Sequence, residues 1–275
     1  MSALTKTTDH LREEAWLRRL PMVLLFVGVL GAWLMYTPAG LLGKADAIGY
    51  AVCHRIDLRS FHLGDRPLPL CARCTGMYLG AILGMAYFAL RGRGRAGLFP
   101  PIPVLVVLGA FTFAFGVDGV NSYLHFFPNA PHLYEPNNTL RLITGTFLGL
   151  TLASLVYAGF NQNAWRHWQK QAPLPSLSAV VPLLVLGGLI IGAVLSENDL
   201  ILYPLALISA AGVLVLLTAV YTTMTLLVLR RENRAERWGE LALPLMIGLT
   251  LAVAQVGAID FVRYLATGTW AGFSL

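Results

Sequence analysis

The chain has 275 residues, of which 56% are hydrophobic and 12% charged, about half the charged share of an ordinary soluble protein. That balance excludes a soluble globular domain, because the apolar residues come in runs of about 20, the length that crosses a bilayer core. The net charge of +6 lies in short basic clusters between these runs, which speaks for membrane topology rather than nucleic-acid binding.

In chain order, a segment 1–20 precedes the first run. A basic stretch followed by "PMVLLFVGVLGAWLMY" and "KADA" has the outline of a signal peptide. The run is long for that and Glu13 and Glu14 precede it, so a retained helix is expected. Seven spans are predicted: 21–42, 74–90, 103–127, 140–160, 177–195, 200–229 and 241–265. The sixth is long enough to tilt. With the N-terminus inside, the inner segments carry thirteen Lys and Arg and the outer ones five. The expected architecture is an all-α, polytopic transmembrane bundle of about seven spans, N-in and C-out, multi-pass in the cell membrane. It divides into the cytoplasmic segment 1–20, a membrane core 21–150 with an extracytoplasmic loop 44–73, and additional spans over 151–275. The lipid bilayer is its expected partner, and no nucleic acid is.

The loop 44–73 and the residue after it hold all three cysteines and two of the six histidines, in "CHRIDLRSFHLGDRPLPLCARCTG". Cys71 and Cys74 form a C-x-x-C at a helix start, where exposed backbone N–H groups favour thiolates. Such a pair suits metal ligation or dithiol–disulfide exchange. Cys53 adds a third sulfur, and His54 or His62 an imidazole, which completes a tetrahedral zinc shell. Adjacent residues such as Cys53 and His54 share one metal only if the backbone turns. If His62 ligates, His54 is free to act as a base or to bind substrate. A structural disulfide is the plainer alternative, but three cysteines leave one unpaired. The loop's arginines suit a solvated interface segment. Arg59 and Arg73 also suit an anionic headgroup or phosphate, whose oxygens match a guanidinium fork.

Further along, Asp118, Asn121 and His125 share one helix face near the outer end of the third span, and Arg141 opens the fourth. An Asp118–Arg141 pair is the simplest expectation, and participation in a site the alternative. Gly145 and Gly149 have the spacing of a helix-packing pair. Asp260 and Arg263 are expected to pair along the last span. There is no Walker loop, no G-x-S-x-G, no His-Glu-x-x-His and no C-x-x-C-H, residue 75 being Thr.

The pattern resembles a family of membrane proteins described as a domain of unknown function, number 2085. The resemblance is carried by Cys53–His54, by Arg59-Ser60-Phe61, and by Cys71-Ala72-Arg73-Cys74-Thr75-Gly76 opening a span. Asp118-Gly119, Asn138, Arg141, Thr144 and Gly145 continue it over about residues 50–150. Asp57 and Leu58 depart from the pattern. The resemblance implies one structural unit and supplies no activity.

These residues lead to the expectation of a zinc site on the extracytoplasmic face, held by Cys53, Cys71 and Cys74 with His54 or His62 fourth. His54, Asp118 and Arg141 are the catalytic candidates. Arg59, Arg73 and Asn138 are the substrate candidates, for a lipid-linked or anionic small molecule. A membrane thiol oxidoreductase using the C-x-x-C is the first alternative, and a transporter of a metal or small anion the second.

Overall fold

A computed structural model describes residues 3–127 and 130–273, the side chains of 3–19 excepted. The expected cytoplasmic segment 1–20 therefore lies almost wholly outside the described side chains. The described chain is helical almost throughout: α1 (Ala3–Tyr36), α2 (Gly40–Val52), α3 (Ala72–Leu90), α4 (Ile102–Leu124), α5 (Asn138–Ala164), α6 (Leu177–Leu195), α7 (Asp199–Val228) and α8 (Trp238–Thr267). A two-stranded hairpin, β1 (His62–Leu63) and β2 (Arg66–Pro67), sits between α2 and α3. The protein is an all-α membrane bundle. Helices α4 to α8 are long and apolar enough to cross a membrane, and α1 with α2 makes a sixth if that bent pair is one span. The predicted span 74–90 is α3, which is less apolar. It joins the bundle on packing, lying parallel to α5 along its length.

Small residues make that parallel seam. Gly76 and Gly80 face the backbone of Leu142 and Thr146, while Gly145 and Gly149 face the backbone of Arg73 and Met77. A methyl group at any of the four would collide with main-chain atoms across the seam. Helices without a hydrophobic drive between them associate through such close backbone contact. Helix α4 runs the other way: Phe111 stacks on Phe147 at 4.6 Å, and Asp118 reaches Arg73. Helices α3, α5 and α7 thus start at one face of the bundle, where α4, α6 and α8 end.

The first run is not one straight helix. It breaks after Tyr36, and α2 leaves at 104° to α1. Pro38 cannot donate a helical hydrogen bond, and Gly40 takes a left-handed φ of 79° that few other residues tolerate. Lys44 of α2 then donates to the carbonyl and hydroxyl oxygens of Thr37, both at 2.9 Å, which satisfies the open end of α1. This corrects the prediction of a first span running to residue 42: residues 40–52 form a separate helix, which takes up the start of the loop 44–73.

At the opposite face the basic connections are pinned. Arg95 stacks over the buried Trp165 at 4.2 Å, and Arg166 pairs with Glu236 at 2.8 Å.

Candidate metal centre

Helix α2 delivers Cys53 to the start of α3. Gly49 lies against the carbonyl of Pro69, so α2 and the extended "PLPL" segment touch backbone to backbone. Leu68 and Leu70 are fully buried there and fix the segment that leads into Cys71. The Sγ atoms of Cys53, Cys71 and Cys74 come within 4.8 Å of one another, from two chain segments, with no disulfide among them. The Cys71 backbone N–H donates to Cys53 Sγ at 3.3 Å. Hydrogen bonds from Cys71 and Cys74 hold the Cys53 thiol well below the ordinary range, while the bond to Cys53 pushes Cys71 up to about 12. Three sulfurs converge with a backbone N–H on one of them, an arrangement that a soft cation would complete.

Neither histidine joins the trio within that distance. His62 instead sits on β1 with its Nε2 3.1 Å from Asp57 Oδ1, because the hairpin turns it to the surface. His54 accepts the Ile56 N–H on Nδ1 at 3.0 Å. The chain does turn here, with Arg55 at a left-handed φ of 51°. Burial lowers the His54 pKa from its ordinary 6.5. Cys53 opposes that shift, and Arg59, Arg73 and Arg141 add to it. The shift favours the neutral imidazole, and Nε2 has no partner among the described residues.

The arginines form the second half of the site. Asp118 is 1% exposed and accepts from Arg73, through Nη2 and through Nε at 3.0 Å. The expected Asp118–Arg141 pair is replaced by this one. Arg73 reaches across to α4, while Arg141 donates to Asn138 Oδ1 at 2.9 Å and leaves its buried Nε without a partner. Asn138 donates to the carbonyls of Leu58 and Ser60, tying α5 to the loop. Arg59 donates to the Ser122 carbonyl at 3.1 Å and stacks over Phe126 at 3.8 Å. Burial, then Arg141 and Arg73, lower Arg59 to about 10, still charged at neutral pH. Three guanidinium groups with one carboxylate among them leave this end of the bundle positive.

Residues without a sequence signal complete the frame. Tyr134 donates to Asp118 Oδ1 at 2.9 Å and is pushed up to about 12 by burial and by that bond. Arg263 does not pair with Asp260 but donates to the carbonyls of Tyr50, Cys53 and His54. Asp260 takes the Trp33 indole N–H instead, at 3.2 Å. Only the position of Arg263 at the outer end of the last span hinted at this.

A family model described as "Predicted membrane protein (DUF2085)" matches residues 53–155. An uncharacterised protein of Methanothermobacter thermautotrophicus is 32% identical over 104 residues, which are 38% of this chain and 83% of the relative. The chain belongs to the DUF2085 family. An uncharacterised protein of Methanocaldococcus jannaschii is 25% identical over 123 residues, 45% of this chain and 72% of that one. No solved structure matches. The part matched by the DUF2085 model contains the three cysteines, Arg59, Arg73, Asp118, Asn138 and Arg141. Helices α6 to α8, with Arg263, lie outside it.

Proposed function

We propose that this membrane protein holds a zinc ion between Cys53, Cys71 and Cys74 at its extracytoplasmic face, and binds the anionic group of a lipid-linked or membrane-surface substrate beside it. The observation that carries this reading is the meeting of three unbonded sulfurs within 4.8 Å. Tetrahedral zinc takes sulfur at about 2.3 Å, which puts neighbouring ligand sulfurs at a separation of that order. A zinc ion with only three protein ligands keeps a position for water or substrate and supplies a Lewis acid there. Around it, Arg59 and Arg141 would orient phosphate or carboxylate oxygens, while Arg73, its fork taken by Asp118, adds positive charge. In its neutral form His54 accepts the Ile56 N–H on Nδ1 and so carries its own proton on Nε2, which is placed to donate to a substrate oxygen. Asp118 keeps Arg73 in place rather than meeting substrate. A groove of about 400 Å³ along α4, lined by Phe113, Val120, Leu124 and Leu133, opens beside Asn121 and suits an acyl chain.

The test is metal content by mass spectrometry on protein purified in mild detergent without chelator, beside Cys71→Ala. About one zinc per chain, lost in the variant, is expected. Absence of metal from both, with a disulfide that thiol reductants open, would instead turn the reading to the disulfide alternatives, and exchange of that disulfide with a thiol substrate would single out the oxidoreductase. The transporter reading has least support. Deeper in the bundle the buried polar groups are hydroxyls such as Thr146, Ser154, Ser209 and Thr250, bonded to their own helices.

A further inference from the structure

At the same face, a second set of donors lies apart from the sulfurs. His125 caps α4, and the return segment before α5 carries His132 and Glu135. Glu135 lies between the two imidazoles, its Oε1 3.2 Å from His132 Nε2 and its Oε2 3.7 Å from His125 Nε2. One ligand atom from each of the three comes within 4.8 Å of the others, and all three residues are exposed. The rings stand edge to face, 5.4 Å apart. Both present the same nitrogen to one carboxylate.

The grouping is held by structure rather than by its own charges. Asn121, one turn before His125, accepts the Leu133 N–H at 2.7 Å and donates to the Tyr134 carbonyl at 2.9 Å. That clamp fixes the backbone between His132 and Glu135 against the end of α4. An exposed ion pair would need a charged imidazole and would contribute little. A cation uses the neutral imidazole and both donors at once.

We propose that His125, His132 and Glu135 bind a first-row divalent cation, with zinc as the reference ion, at a site separate from the three cysteines. Two imidazoles and one carboxylate suit zinc and its neighbours, not calcium or magnesium. Three protein donors leave an open position facing solvent. The bound ion ties the return segment to α4 and so holds Tyr134 on Asp118. The inference does not rest on the thiolate reading.

The experiment uses full-length protein without a histidine tag, equilibrated with micromolar zinc and then with cobalt. The wild type is compared with the double variant His125→Ala, His132→Ala and with Glu135→Gln. The double variant is expected to bind one equivalent less than the wild type, with the same melting temperature as wild type when both are metal-free and a smaller rise on adding zinc. Glu135→Gln should weaken the same equivalent at least tenfold. Cobalt at the cysteines gives intense sulfur-to-metal charge-transfer absorption, and cobalt on His and Glu does not. That band is expected to persist in the double variant, and the histidine-dependent equivalent to persist in Cys71→Ala. Equal metal in wild type and double variant overturns the proposal. A wild type that binds one zinc, lost in the double variant and without the charge-transfer band, supports this site while refuting the thiolate one.

Discussion

Asp118 is almost fully buried and accepts from Arg73, Tyr134 and, at 3.5 Å, Thr144. A carboxylate at that depth is tolerable only with such partners, and removing one partner of a buried pair costs about 3–5 kcal/mol. Tyr134 supplies the donor for Oδ1. Tyr134→Phe removes one hydroxyl and leaves that oxygen unpaired. A hydrogen bond to a charged group is worth about 1.5–3 kcal/mol, so the variant should unfold more easily by that amount. Denaturation in detergent beside wild type measures it. An unchanged stability would mean that the hydroxyl is replaced by water. Arg73 was visible in the sequence as an anion-binding candidate. That its fork is already taken by Asp118 was not, because residues 45 apart in sequence meet only once α3 and α4 pack. Arg59 and Arg141, which lack such a carboxylate, are the arginines better placed for substrate.

Among the elements, the α3–α5 seam decides most. It sets Cys71 and Cys74 at the level of Asn138 and Arg141, because parallel helices in backbone contact have a fixed register. Gly80→Leu places a side chain where only a hydrogen fits, and overpacking of a close contact costs about 1–3 kcal/mol or more. Gly159→Ala, on the same α5 but with open space around it, is the control and should be neutral or slightly stabilising. Equal melting temperatures for the two variants would show that the seam is not tight. The glycine spacing in α5 was legible as a packing motif. Its partner stripe on α3 was masked by the C-x-x-C that precedes it. The bend between α1 and α2 had a local signal in Thr37-Pro38, but the hydropathy run continues past it, and apolarity alone does not record direction.

For the whole molecule, the alternation of α3 to α8 puts the cysteines, the arginines and the His–Glu group at one face and most of the basic loops at the other. Positive residues favour the cytoplasm, so the site face is expected outside. Ser196→Cys and Lys170→Cys test this, being exposed residues on opposite faces. A membrane-impermeant maleimide added to intact cells should label the first and not the second. The reverse pattern would place the site inside the cell and remove the extracytoplasmic reading. The C-terminal helix is part of the site face too: Tyr50 bonds Thr267, and the Phe273 N–H donates to the His54 carbonyl at 3.0 Å. The spans beyond the family match therefore brace the matched part.

By itself the sequence determined the class of the protein and the location of its chemistry. Apolar runs of bilayer length leave a helical bundle as the stable solution, since backbone groups in lipid must satisfy one another. The concentration of Cys, His and Arg in one charged stretch marks where water and ligands meet the chain. Only the tertiary structure decided which of those side chains meet. It joined three cysteines and left His62 with Asp57, gave Asp118 to Arg73 rather than Arg141, and brought His125 to His132 and Glu135. Such choices depend on the register of helices and on loop closure, and a side chain's partner across a helix seam leaves no trace in its own neighbours along the chain.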